Sequence, residues 1–389
     1  MPIYRNPYLN RVMIREVDAF YGRGRQIAWV CSRIGASPPQ CISMVGDRRV
    51  GKSSLLYHIF QRSVRESCLE EPSKYVFVFM DFQERRSMEL PDFFRSLFRL
   101  LGEEMEEDPI EASPDYEGFR GVLSHLNGKG MRLILLLDEF ESVTKNPNFG
   151  EDFFAFLRSM ANTQEIAYVT TSARNLQELC HTQEISDSPF FNVFSNLYLG
   201  PFARREAMEL IEKPSTQAGI PLGEHADVIL KMAGFLPFFL QIACSAFFDH
   251  LVERGGGPVD LEEVKEAYLE EVGVHFRYIW EEFDPDQRRI CWDVVRGGRI
   301  PQEREHVLRE LTRRGYLVEE EGECRVFSNL FEEWMRERGL QVAAETMGAD
   351  EEKGKKGVTE ERKPPAGRFR NIKDFSITRP GEGRGGRRT

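Results

Sequence analysis

The chain has 389 residues, 41% of them hydrophobic, enough to bury a large core, and its length predicts two or three domains. A formal net charge of −11 excludes nonspecific coating of nucleic acid by the whole molecule, yet the segment from Lys353 to the end holds 12 basic and 4 acidic residues, so the charge is strongly segregated. The seven cysteines (31, 41, 68, 180, 244, 291 and 324) lack any C-x-x-C spacing and the seven histidines form no paired ligand pattern; this gives no metal site and fits buried thiols in a reducing, cytoplasmic setting.

At the start, Met1-Pro2-Ile3-Tyr4-Arg5-Asn6 meets charge at once and has no apolar stretch of the secretory kind. Cys41 to Val45 then reads as a strand and Ser53 to Val64 as a helix. Between them, Gly46-Asp47-Arg48-Arg49-Val50-Gly51-Lys52-Ser53 matches G-x-x-x-x-G-K-[ST] in the strand-to-helix context its mechanism requires. Gly46 and Gly51 allow a tight turn, so that the amides of the loop, those of Arg48, Arg49 and Val50 included, can face phosphate oxygens. The helix that follows aims its positive end at the same place. Lys52 is the candidate for the β- and γ-phosphates, the Ser53 hydroxyl for Mg²⁺, and Ser54 for the α-phosphate side.

Lys74 to Asp81 predicts a second parallel strand, and Phe93, Phe94, Leu97, Phe98 and Leu101 recur at helical spacing; a further helix is expected over 115–126. Leu133-Ile134-Leu135-Leu136-Leu137 is an uncharged run of the kind buried on both faces of a parallel sheet, and it delivers Asp138-Glu139 at its end. Asp138 is placed to hold Mg²⁺ through a water and Glu139 to polarise the attacking water. A helix over 152–160 leads to the strand Ile166 to Thr171, where Thr171 and Ser172 are adjacent candidates for a hydroxyl that senses the γ-phosphate; Ser172 is carried as the site residue. Neither Arg158 nor Arg174 stands out as an arginine finger. This alternation of strand and helix predicts a doubly wound α/β sheet with its ligand at the C-terminal strand edges, over 1–202.

From 203 the chain turns helical, with a lid domain expected over 203–272 and a buried helix, too short to span a bilayer, at 235–248. Gly255-Gly256-Gly257-Pro258 predicts a turn. A winged-helix domain is expected over 273–341: helices at 276–283, 287–295 and 304–314, then a two-stranded wing around the acidic Glu319 to Glu323 and a closing helix. The third helix carries Arg304, Arg309, Arg313 and Arg314, which suits duplex contact. Glu303, Glu305 and Glu310 on the same stretch favour packing instead. The basic tail, 342–389, has the composition of a disordered segment, with Phe369, Ile372, Phe375 and Ile377 set among basic residues as a short partner-binding motif.

Four features together resemble the STAND class of signalling ATPases and the related archaeal-type ATPases of the AAA-like P-loop group: Phe20-Tyr21-Gly22-Arg23, the loop from Gly46 to Ser54, Leu135 to Phe140, and Gly234-Phe235-Leu236-Pro237. The resemblance spans roughly residues 6–340. It implies that Arg23 and Pro237 contact the adenine and ribose, although Gly24 stands where that family usually has Glu. It also implies an ATP- and Mg²⁺-dependent switch that hydrolyses slowly, closes between the α/β and lid regions, and works with itself or with a separate sensor or effector protein. A DNA-associated ATPase using the winged helix and tail is the alternative. Guanine specificity is disfavoured by the lack of a clear N-K-x-D after the acidic pair, and kinase chemistry by the lack of an acceptor site.

Overall fold

The computed structural model describes residues 5–339 except 84, 109, 299 and 321. The basic tail and its aromatic motif lie outside the described residues.

The first half alternates helix and strand: α1 (Gly24–Ile34), β1 (Cys41–Val45), α2 (Lys52–Phe60), α3 (Arg62–Cys68), β2 (Tyr75–Asp81), α4 (Leu90–Met105), α5 (Tyr116–Gly128), β3 (Arg132–Asp138), the one-turn α6 (Glu141–Thr144), α7 (Glu151–Thr163), β4 (Ile166–Ser172), the one-turn α8 (Gln183–Ser186) and β5 (Phe194–Tyr198). All five strands are parallel, in the order β2-β3-β4-β1-β5. Parallel pairing requires crossovers, and the amphipathic helices between strands supply them. In α4, Phe93, Phe94, Leu97, Phe98 and Leu101 form one buried stripe, and the helix packs on β2. The run Leu133 to Leu137 is buried throughout, as strands covered on both faces must be. The expected helix over 53–64 is two helices, interrupted at Gln61, whose φ/ψ of −60° and 132° is extended backbone.

The second half continues with α9 (Arg204–Gln217), α10 (Ala226–Ala233), α11 (Pro237–Glu253), α12 (Leu261–Glu282), α13 (Pro285–Val295), α14 (Glu305–Arg314), β6 (Leu317–Glu320), β7 (Glu323–Val326) and α15 (Asn329–Trp334). α11 is apolar on nearly every face because it runs through the middle of a second core, separate from that of the sheet. The domain boundary expected at 272/273 falls within a single helix. α12 runs straight through it, since Val264, Tyr268, Val272, Phe276 and Ile279 form one unbroken buried stripe and Gly273 interrupts nothing. Antiparallel β6 and β7 form the expected hairpin.

Two of the seven cysteines differ from expectation: Cys31 and Cys68 are joined as a disulfide between α1 and α3, while the other five are free. No described helix is long and apolar enough to cross a membrane.

The N-terminal segment ties both cores together. Asn6 Nδ2 donates to the Ser245 hydroxyl at 2.9 Å and the Tyr8 ring is buried in the second core, its hydroxyl donating to the Ile211 carbonyl at 2.5 Å. Arg11 pairs with Glu271, and the Ile14 amide reaches Ser54 Oγ at 3.0 Å, at the start of α2. Tyr8→Ala should therefore cost ~3–5 kcal/mol in urea unfolding by emptying a core site, whereas Leu9→Ala, at a position 61% exposed, should change stability by under ~0.5 kcal/mol.

Candidate functional site

β1 ends at Val45, and the chain turns into the glycine loop under tight restraint. The Gly46 amide donates to the Ser172 carbonyl at 3.2 Å, and a Cβ on Gly46 would sit 2.6 Å from the Leu199 carbonyl oxygen, so no side chain fits there. Gly51, at φ +94°, caps α2 without a side-chain acceptor, which leaves the first amides of that helix free to meet an anion. Lys52 is half-buried, and its ammonium donates to the carbonyls of Gly46 at 2.8 Å and Asp47 at 3.0 Å. Burial lowers its proton affinity; the carboxylates of Glu141, Asp47, Asp138 and Glu139 act in the opposite direction.

Across the cleft, Asp138 closes β3 and is only 3% exposed. Its carboxylate accepts from the Thr171 hydroxyl at 2.5 Å, and the Glu139 amide donates to the same Thr171 oxygen at 2.9 Å. One side chain on β4 thus fixes both members of the acidic pair, a geometry made possible by β3 and β4 being neighbours in the sheet. Burial raises the Asp138 carboxyl, and the hydroxyls of Thr171 and Ser53 pull it back down. Glu139 stands at φ +51°, a left-handed conformation that aims its side chain into the cleft, and its proton affinity is raised by burial and then by Glu141 and Asp138.

Loop and acids line one cavity of about 440 Å³, with Asn10 to Ile14, Tyr21, Phe202, Leu210, Pro237 and Gln241 as its other walls. The size suits a small-molecule ligand. Pro237 stands in the first turn of α11. Arg23 lines this cavity but works largely inside the protein: its guanidinium lies over the Phe202 ring, donates to Val50 O at 3.0 Å and Gly200 O at 2.7 Å, and so braces the loop from behind. Burial lowers it to about 10. Arg48 and Arg49 also line the cleft, Arg48 over Tyr278 and Arg49 over Phe238, with Arg49 Nη1 2.7 Å from His275 Nε2. Ser54 Oγ is engaged by Ile14. Ser172 turns away, donating to the Arg174 carbonyl at 2.7 Å, and is absent from the cleft lining. Arg158 lies with Pro39 to Cys41, at the entrance of β1 and the opposite end of the sheet.

Residues 36–300 match the family model described as Novel STAND NTPase 2. The chain belongs to this family. Its solved neighbours include a Walker-type ATPase of Pyrococcus abyssi, similar over 85% of this chain and 99% of its own with 16% identity and a TM-score of 0.56. The ORC2 protein of Aeropyrum pernix, in its ADPNP–ADP complexes, is similar over 83% of this chain and 93% of its own, with 13% identity and a TM-score of 0.55. At such identities the likeness speaks for the fold, a P-loop NTPase. Among curated proteins, none matches.

Within this STAND NTPase, no cluster of three or more His, Cys, Asp or Glu side chains among the described residues could hold a metal by itself. Ser53 and Asp138 nevertheless fit Mg²⁺, a hard cation that takes a few protein oxygens and completes its shell from phosphate and water. Two residues at this site were not foreseen. Asp81 ends β2 level with Asp138 and lines the cleft; two parallel strands each closing on Asp is the signal that could have found it. Glu141 accepts from the Ala173 amide at 3.1 Å and leaves its second oxygen buried without a partner, which no spacing rule reveals. Thr171, left beside Ser172 as an alternative, is the one bonded to the acids.

Thr171→Val removes both hydrogen bonds and leaves Asp138 buried without that donor, so it should cost ~1–3 kcal/mol in urea unfolding. Thr171→Ser should restore most of that loss in the same measurement.

Proposed function

We propose that the cleft binds ATP with Mg²⁺ and hydrolyses it slowly, and that the protein is a nucleotide-dependent switch acting through itself or a separate sensor or effector protein. The observation that carries this reading is the shared lining: the Lys52 loop and the Asp138–Glu139 pair face each other across one cavity. In it, the loop amides and Lys52 hold the phosphates, Ser53 and Asp138 hold the metal, and Glu139 accepts the proton of the attacking water as the γ-phosphoryl group leaves ADP. When bound, Mg²⁺ neutralises charge on the phosphate oxygens. Pro237 and the wall from Asn10 to Ile14 suit the base and sugar, and Arg23 supports the loop that receives the phosphates. Thr171 is better placed than Ser172 to report on the acidic pair.

On this reading α9–α12 form a helical lid and α13–α15 with the hairpin a winged-helix unit. The DNA-associated alternative is weaker. Arg314 is bonded to Asp47, Arg304 is paired with Asp286, and Arg313 lies over Tyr198, so three of the four arginines expected to face a duplex have partners within the chain.

Lys52→Ala should abolish binding of a fluorescent ATP analogue, whereas Glu139→Gln should bind it normally and turn over ~100-fold or more slowly, the loss of a general base. Equal affinity in wild type and Lys52→Ala would refute the assignment.

A further inference from the structure

Asp47 is a variable position of the glycine loop, and nothing in the loop's own chemistry calls for an acid. A carboxylate there carries the same sign as a triphosphate and lies near the lysine that must bind it. The structure gives it a dedicated partner. Arg314, the last residue of α14, donates from Nε to Asp47 Oδ2 at 2.8 Å and from Nη2 to Oδ1 at 3.0 Å, the two-pronged arrangement in which a guanidinium matches a carboxylate best. Its remaining nitrogen, Nη1, donates to Glu310 one turn back at 3.2 Å. Both side chains of the pair are about three-quarters buried. Burial works against the Arg314 charge, and the bonds to Asp47 more than offset it.

The surroundings hold the end of α14 in this place. Gly315 continues the chain at φ +86° with its α-carbon face against Pro201, and a Cβ on Gly200 would lie 2.4 Å from the Arg313 carbonyl oxygen. The two backbones therefore touch at glycines, directly beside the carbonyl of Gly200 that receives Arg23. Asp47 is thus bound twice, its carboxylate by Arg314 and its main-chain carbonyl by Lys52.

We propose that Arg314 is a positioning residue for the phosphate site: by occupying the Asp47 carboxylate it withholds that charge from Lys52 and from an incoming triphosphate, so that phosphate affinity depends on α14 being docked against the loop. The inference rests on the nucleotide reading given above. With Arg314 gone, Asp47 is free to take the Lys52 ammonium, which already lies at its carbonyl, and to repel the phosphates. Movement of α14, by a partner or by a change elsewhere in the hairpin unit, would then loosen nucleotide without touching it. By reciprocity, bound nucleotide would favour the docked helix.

The test is titration of the full chain with the fluorescent analogue mant-ATP and Mg²⁺, together with steady-state hydrolysis. Arg314→Ala should weaken binding ~10-fold and raise KM while leaving kcat near that of wild type, because Glu139 is untouched. Arg314→Lys keeps the charge and should recover most of the affinity. Asp47→Asn should bind at least as tightly as wild type, and Asp47→Asn combined with Arg314→Ala should return to the level of Asp47→Asn alone. That rescue separates charge compensation from mere docking of the helix. Undiminished affinity in Arg314→Ala, or a double variant as weak as Arg314→Ala, would overturn the proposal; the double variant decides the matter even where the single one folds poorly. A wild-type chain that binds no mant-ATP would instead overturn the nucleotide reading on which it stands.

Discussion

The site depends on where two buried strands stop. β1 releases the glycine loop and β3 releases the acids, and β4 lies between them. Adjacent strands are 4.7–4.9 Å apart, so loop and acids start roughly 10 Å from one another, with one intervening strand to fix that gap. A metal-bound triphosphate must bridge such a gap from a cradle of amides to a carboxylate pair. β4 does more than space the two: through Thr171 it binds Asp138 and the Glu139 amide, and its Ser172 carbonyl accepts the Gly46 amide. Loop, strand end and acids are therefore joined in one hydrogen-bonded frame.

Around this frame, elements distant in sequence converge on the loop. Arg23 grips Val50 from behind, Ile14 reaches Ser54 and Arg314 holds Asp47. Each belongs to a different part of the chain, and the N-terminal segment also runs into the second core through Tyr8. Desolvation of Arg23 and Lys52 lowers the proton affinity of both, and neighbouring carboxylates offset only part of that cost.

The nucleotide frame was legible in the sequence because its parts are local. A glycine loop between a strand and a helix, and a leucine run ending in two acids, carry their meaning within ten residues each. Four of the five parallel strands followed from apolar runs of the right length, and the split into two cores near residue 200 from the change to helical patterning; β5, an edge strand reading Phe194-Ser195-Asn196-Leu197-Tyr198, carries no such run. The continuity of α12 across 272/273 was not legible because Gly273 stands between two apolar helical patterns, and only the unbroken buried stripe from Val264 to Ile279 joins them. Thr171 and Ser172 are adjacent and chemically alike; which one faces the acids is set by the alternation of β4, invisible until its neighbour strands are known. Asp47–Arg314 and Cys31–Cys68 join residues far apart in the chain, and no single-sequence pattern encodes such pairs.

The Lys52 ammonium donates to the carbonyls of Gly46 and Asp47. If the cleft is a triphosphate site, that ammonium must leave them. A crystal structure of the chain with a non-hydrolysable ATP analogue and Mg²⁺ tests this most directly. The expected result is a γ-phosphate at hydrogen-bonding distance from Lys52, both carbonyl contacts broken, and Asp138 and Ser53 facing the metal. An analogue bound elsewhere, or Lys52 still on its own loop beneath a filled cleft, would contradict it.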